Sequence, residues 1–164
     1  MVFWRYLIAF GFITLFTGCS DMANSTAENT KQVVQESNVN QLLIEVKTNQ
    51  KAESLIDQAN NLLDAHRYQQ AIEIYDKAIA IKPANAAAWI NRGIALTSLQ
   101  RYQDALVSYN KAIAIEPRKH EAWYNQGIAL ASLQRYQDAL ASYNKALSIK
   151  SDKYEAWINR GITL

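Results

Sequence analysis

Few side chains in this 164-residue chain have chemistry to offer: one cysteine, Cys19, two histidines, His66 and His120, and a series of asparagines, Asn91, Asn125 and Asn159, set 34 residues apart. A single thiol excludes an intramolecular disulfide and any multi-cysteine metal site, which leaves covalent modification of Cys19 itself. His66 falls at a turn and His120 at a helix start, so the two occupy unrelated positions and read as solvated or capping groups rather than ligands. There is no phosphate-cradling glycine loop, no Ser-His-Asp arrangement, and no cluster of His, Cys and carboxylates at metal spacing. The expectation is therefore no catalysis, no metal and no dissociable cofactor. The asparagines are different, because an amide offers a donor and an acceptor together and can pair with a peptide backbone.

The elements that position those amides follow from a single period. Trp89, Trp123 and Trp157 lie 34 residues apart, and so do Gly93, Gly127 and Gly161. Leu99 to Leu106 recurs unchanged as Leu133 to Leu140, and segments 86–119 and 120–153 are identical at about two-thirds of positions. Stepping back by one period finds a degenerate copy at 52–85, with Leu55 for Trp, Ala59 for Gly, then Ala71, Tyr75, Ala78 and Pro83 in register. Residues 154–164 begin a fourth copy and supply only its first helix. Within a copy, Trp89, Gly93 and Leu96 are spaced i, i+4, i+7, and after the polar Gln100-Arg101 turn a second stripe runs Ala105, Tyr109, Ala112, which predicts a helical hairpin. Pro83 and Pro117 stand where the second helix must stop, Asn85 is placed to cap the next one, and Asp152 with Glu155 forms a capping pair before the fourth copy. Glycine inside a helix costs about 1 kcal/mol relative to alanine. Close approach of a neighbouring helix is the expected compensation at Gly93, Gly127 and Gly161.

Taken together, Trp89, Gly93, Ala105, Tyr109, Ala112 and Pro117, and in the third copy Trp123, Gly127, Ala139, Tyr143 and Ala146 with Ser151 in place of Pro, resemble the tetratricopeptide repeat. The resemblance covers residues 52–164 and implies an all-α fold, an α-solenoid of helix-turn-helix hairpins that binds protein or extended peptide partners. The chain departs from the family at Leu96 and Leu130, where tyrosine is common, and at Arg92, Gln126 and Arg160, where leucine is preferred, which bears on how first helices pack together. Tyr68, Tyr102 and Tyr136 read as core wedges opening each second helix. In that family the offsets of Ile90, Ile94, Tyr124, Ile128, Ile158 and Ile162 line a concave groove, and asparagines at the offset of Asn91, Asn125 and Asn159 ladder along an extended peptide. Stacked helices lie about 8–10 Å apart and an extended chain rises about 3.3 Å per residue, so one asparagine serves every third peptide residue. Chaperone-binding relatives place Lys or Arg at the positions held here by Ile56 and Glu121, which argues against that partner class.

The N-terminus reads as an address. Met1 to Arg5 carry one positive charge, Tyr6 to Phe16 are an apolar run too short for the roughly 20 residues of a membrane span, and Thr17-Gly18-Cys19 follow. Phe16-Thr17-Gly18-Cys19 resembles the lipobox of bacterial lipoproteins, with Phe16 in place of the usual Leu, Val or Ile. The resemblance implies that residues 1–18 are a signal peptide, that a covalent lipid is attached to Cys19, and that Ser20, in place of an aspartate retention signal, directs the product to the outer membrane. Residues 19–51 form a polar tether, part helical where Val39, Leu42, Leu43 and Val46 fall at helical spacing. The net charge of +2 drops to about +1 without the first eighteen residues, which gives no electrostatic reason to expect nucleic acid. The expected protein is a lipid-anchored binding scaffold of the bacterial cell envelope, similar in organisation to pilotin and barrel-assembly lipoproteins. The alternatives are a cytoplasmic or secreted adaptor without an anchor, or a fragment of a longer protein whose remaining part carries the activity. The half-built fourth copy implies self-association through the C-terminal edge.

Overall fold

The computed structural model describes residues 4–152 and 154–163, with side chains from Lys31 onward except those of Tyr154 and Ile158. The side chains of Cys19 and Ile158, and Leu164 entirely, thus lie outside the described residues. Seven helices occur among them and no strand: α1 Trp4–Asp64, α2 Tyr68–Ile81, α3 Ala86–Ser98, α4 Tyr102–Ile115, α5 His120–Ser132, α6 Tyr136–Ile149 and α7 Tyr154–Thr163. The chain divides into a unit 1–47 and a unit 48–164. In the first, helix runs through the segment read as signal and tether. No proline or glycine occurs between Cys19 and Asp64, so neither residue breaks it over that stretch. Val39, Leu42, Leu43 and Val46 remain about half exposed or more on that helix. Among the described residues, no helix is long and apolar enough to cross a membrane.

The second unit is a stack of antiparallel hairpins, the last part of α1 with α2, then α3 with α4 and α5 with α6, closed by α7. Each hairpin bends at one non-glycine residue in the left-handed region: His66 (φ 58°), Gln100 (φ 59°) and Gln134 (φ 61°). The fold holds them there by paired bonds. In the second hairpin Arg101 N–H donates to the Leu96 carbonyl at 2.9 Å and Gln100 N–H to that of Thr97 at 2.9 Å, and Arg135 and Gln134 repeat both bonds onto Leu130 and Ala131. This is the left-handed helix stop usually made by glycine. At the other end of each hairpin Lys82 and Glu116 close α2 and α4 just before the prolines, as the sequence predicts. Asn85 caps α3, its Oδ1 accepting from Ala88 N–H at 2.9 Å.

Alanines at fixed register form the core. Ala71, Ala105 and Ala139 on the second helices, and Ala95 and Ala129 on the first, are fully buried and let helices approach closely around Tyr75, Tyr109 and Tyr143. Gly93 and Gly127 lie beneath the rings of Tyr109 and Tyr143. A Cβ at Gly127 would sit 2.5 Å from Cε1 of Tyr143, and one at Gly93 would collide with Tyr109 in the same way. The close neighbour is thus the tyrosine of the same hairpin. Gly161 differs: nothing described lies within 4 Å of its would-be Cβ. Tyr68 and Tyr102 are wedged against the core as expected, but Tyr136 is half exposed.

Arg92 and Gln126 pack differently from the leucine they replace. Arg92 Nε reaches Asp76 Oδ1 of α2 at 2.6 Å and its Nη1 donates to Ser108 Oγ of α4 at 2.7 Å. Gln126 makes the same bridge, donating from Nε2 to Asn110 Oδ1 of α4 at 2.7 Å and accepting from Ser142 Oγ of α6 at 2.8 Å. α3 and α5 are therefore each bonded to the second helices on both sides, and Ser108 and Ser142 are buried in those bridges.

Candidate functional site

The tryptophans serve the frame. The indole N–H of Trp89 donates to the Pro83 carbonyl at 2.9 Å, Trp123 to Pro117 at 2.9 Å, and Trp157 to Ser151 at 3.0 Å. Because the bond uses only the main-chain oxygen, serine replaces proline in the third copy without loss of the contact. Arg92 and Arg160 guanidinium groups stack over Trp89 and Trp157 at 5.9 and 5.5 Å. The remaining faces of α3, α5 and α7, each in contact with the next, carry the expected groove residues.

Those residues divide. Ile90 is 5% exposed and packs with Ala86, Ala112 and Ala122, so it is core and not groove; the following hairpin covers it. Ile94, Tyr124 and Ile128 are half-buried, and Ile162 is open. The asparagines do three different things. Asn91 Nδ2 donates to Asn60 Oδ1 at 3.0 Å, which also accepts from Tyr75 Oη at 2.6 Å, tying α1, α2 and α3 together. Asn125 Nδ2 turns back onto its own helix, to the Glu121 carbonyl at 2.9 Å. Asn159 Nδ2 donates to Tyr124 Oη at 3.0 Å, and Tyr124 in turn tilts against Tyr143 with ring centroids 6.1 Å apart. Asn60 escaped sequence reasoning because its one-period counterpart is Ile94, so it belongs to no periodic series.

Between α5, α6 and α7 the surface opens into a cleft of about 230 Å³ lined by Ile128, Ala131, Ser132, Tyr143, Asn159, Ile162 and Thr163. Its walls mix aliphatic and aromatic carbon with the hydroxyls of Ser132 and Thr163 and the amide of Asn159, so it offers both apolar contact and hydrogen-bonding groups. Of the two positions tested for cationic clamps, Ile56 is buried and Glu121 is an acid 2.9 Å from His120 Nδ1, so neither offers positive charge to a peptide carboxylate. His66 is exposed beside Tyr68. Among the described residues no group of His, Cys, Asp and Glu is placed to hold a metal.

The buried tyrosines give the site its pH limit. Burial pushes the Tyr75 hydroxyl up to about 12, opposed by the Asn91 hydrogen bond and reinforced by the charge of Asp64. Burial likewise raises Tyr109, against its hydrogen bond with Thr97, and raises Tyr143 to about 12 with help from Tyr124. Each folded-state value lies above the ordinary 10.0, so the stability tied to the neutral hydroxyl is complete below pH 10 and is lost as pH rises toward 12. The expected result is a melting temperature that falls steeply from pH 10 to about 12, with a shallower fall in a Tyr75→Phe, Tyr143→Phe double variant. Equal slopes would show that these hydroxyls do not govern alkaline unfolding.

Two tetratricopeptide repeat family models match the chain, at residues 56–117 and 120–153. Over 49 residues, 30% of this chain, it is 43% identical to serine/threonine-protein phosphatase 5 of Arabidopsis thaliana, a match spanning 9% of that protein's length. Among solved structures it is similar to the Arabidopsis OM64 TPR domain, with TM-score 0.70 and 25% identity, covering 71% of this chain and 96% of that one. It is also similar to the second TPR domain of human RPAP3 in complex with the HSP70 peptide SGPTIEEVD (TM-score 0.69, 25% identity, 71% and 97% covered). A third is the first TPR of Spaghetti (RPAP3) bound to the HSP90 peptide SRMEEVD (TM-score 0.68, 26% identity, 70% and 90% covered).

Proposed function

Residues 56–117 and 120–153 belong to the tetratricopeptide repeat family, a protein-interaction scaffold, and on that premise we propose that this chain is a lipid-anchored adaptor of the bacterial envelope holding an extended peptide along α3, α5 and α7. The observation that carries the peptide half is the cleft at Ile128, Tyr143 and Asn159. It sets the apolar side chains of Ile128 and Ile162 beside an amide whose Nδ2 is already engaged by Tyr124, leaving Oδ1 to accept a peptide N–H. Asn125 has the same free acceptor one helix earlier. The peptide-bound neighbours support a groove of this type, while Ile56 and Glu121 favour an uncharged or basic segment over the acidic C-terminus of chaperone peptides. The anchor half rests on the Phe16 to Cys19 sequence.

Each half has its own test. Peptides selected from a random library on the full chain should lose at least about tenfold in affinity when Asn125 and Asn159 are both changed to alanine, a loss worth about 1.4 kcal/mol. The melting temperature should stay within a few degrees. Undiminished binding would place the site elsewhere. Separately, labelled palmitate should enter the wild-type chain and not Cys19→Ser, and that variant should leave the membrane fraction with its helical content unchanged. Stable retention needs more than one acyl chain, so a singly acylated product would fractionate between the two. A Cys19→Ser chain still retained on membranes would refute the anchor and leave the groove untouched.

A further inference from the structure

The groove changes character along its length, because the 34-residue period is kept in position and not in chemistry. Ile128, Ser132 and Asn159 of the cleft correspond to Ile94, Ser98 and Asn125 one hairpin earlier, and to Asn60, Asp64 and Asn91 at the first hairpin. The later seats set isoleucine beside serine and an amide, whereas the first has an amide in place of isoleucine and a carboxylate in place of serine. In that first seat Asn91 Nδ2 and the Tyr75 hydroxyl both donate to Asn60 Oδ1, at 3.0 and 2.6 Å, which leaves Asn91 Oδ1 as an acceptor. The charge of Asp64 reaches the same Tyr75 hydroxyl, so its carboxylate lies beside this node. Asp57, at the register of Asn91 one hairpin back, shares a face of α1 with Asn60 and Asp64 at spacing i, i+3, i+7. Both carboxylates are exposed, and among the described residues neither forms a hydrogen bond or ion pair. No lysine or arginine occupies the matching positions on α3, α5 or α7 to offset them.

We infer that the first seat selects a cationic side chain, so that the segment held in the groove carries lysine or arginine about three residues from an apolar residue. The inference rests on the peptide groove proposed above and sets its register. Seats recur once per hairpin, about 8–10 Å apart, a distance that an extended chain covers in about three residues of roughly 3.3 Å each. A lysine ammonium donates on every side and accepts nothing, which matches the Asp64 carboxylate and Asn91 Oδ1, whereas a glutamate there would meet two like charges. An exposed ion pair changes affinity only a few-fold, and less at high salt. The carboxylates therefore set the preference, and the isoleucines of the later seats supply apolar contact.

The probe is a random peptide library displayed on phage, selected on the full chain and on its Asp57→Asn, Asp64→Asn variant. Peptides from the unaltered chain should place Lys or Arg at that spacing from Leu, Ile or Val, and peptides from the variant should lose the bias. The tightest of the first set, made synthetically, should bind the variant at least about threefold more weakly, with the gap closing as salt rises from about 0.05 to 0.5 M. Exchanging its cationic residue for Glu should weaken binding to the unaltered chain, and Asp64→Lys should restore it, a rescue that a merely structural role for Asp64 would not give. Circular dichroism checks that these exposed substitutions leave the array folded. A bias unchanged in the variant, or an affinity that ignores both exchanges, would overturn the charge assignment and leave the groove standing. Selected peptides indifferent to Asn125→Ala together with Asn159→Ala would overturn the groove, and this inference with it.

Discussion

Replacing Tyr109 with alanine is expected to remove about 3–5 kcal/mol of stability, the range for deleting a large buried ring. A domain of this size holds roughly 5–15 kcal/mol in all. The ring is fully buried, lies over Gly93, hydrogen-bonds through its hydroxyl to Thr97 Oγ1 at 3.0 Å, and shares a cluster with Ile72, Leu96 and Ala129 from three successive hairpins. The void would therefore open in the middle of the stack. Tyr109→Phe should cost only about 1 kcal/mol, the net value of one hydrogen bond. Urea unfolding of both variants separates the contributions. A loss below about 1 kcal/mol for the alanine variant would mean that the stack closes over the gap and that the ring is not its centre.

The second large effect is a contrast between glycines that look equivalent in the sequence. Gly127→Leu is expected to destabilise by about 1–3 kcal/mol, because the added atoms meet Tyr143 at van der Waals overlap and a buried aromatic cannot move aside without displacing its neighbours. Gly161→Leu is expected to be neutral or to stabilise by up to about 1 kcal/mol, since it gains helix propensity and meets nothing. Thermal melts of the two single variants decide the matter. Equal penalties would mean that the glycines answer to helix geometry and not to the tyrosines.

That contrast shows how far the sequence could be read. The 34-residue period gave the hairpins, the helix stops before Pro83 and Pro117, and the close packing at Gly93 and Gly127, because those features depend on residue type and local spacing alone. It could not separate Gly161 from its counterparts, since what covers a glycine lies sixteen residues away on another helix. The groove was legible as a stripe and not as a surface: Ile90 and Ile94 differ by one helical turn, yet the next hairpin buries one and leaves the other half open. The asparagine series looked uniform, but each amide answers to whichever neighbour the stacking brings near, Asn60, the Glu121 carbonyl or Tyr124. Arg92 and Gln126 suggested loose packing by their polarity, where the structure uses them as bridges between second helices.

Those bridges bear on a hazard peculiar to tandem copies. A chain whose second and third units share about two-thirds of their residues can close on itself out of order, one hairpin docking where another belongs, as misfolded repeat arrays do. The joints here differ in chemistry. Arg92 is matched to the carboxylate of Asp76, whereas Gln126 is matched to the amide of Asn110. If α5 docked on α2 in place of α3, the Arg92–Asp76 ion pair would be forfeited at that joint, and the charged arginine of α3 would be left without its carboxylate. One joint is ionic and the next neutral, so units identical at about two-thirds of positions differ in the bonds that tie their first helices to the preceding hairpin.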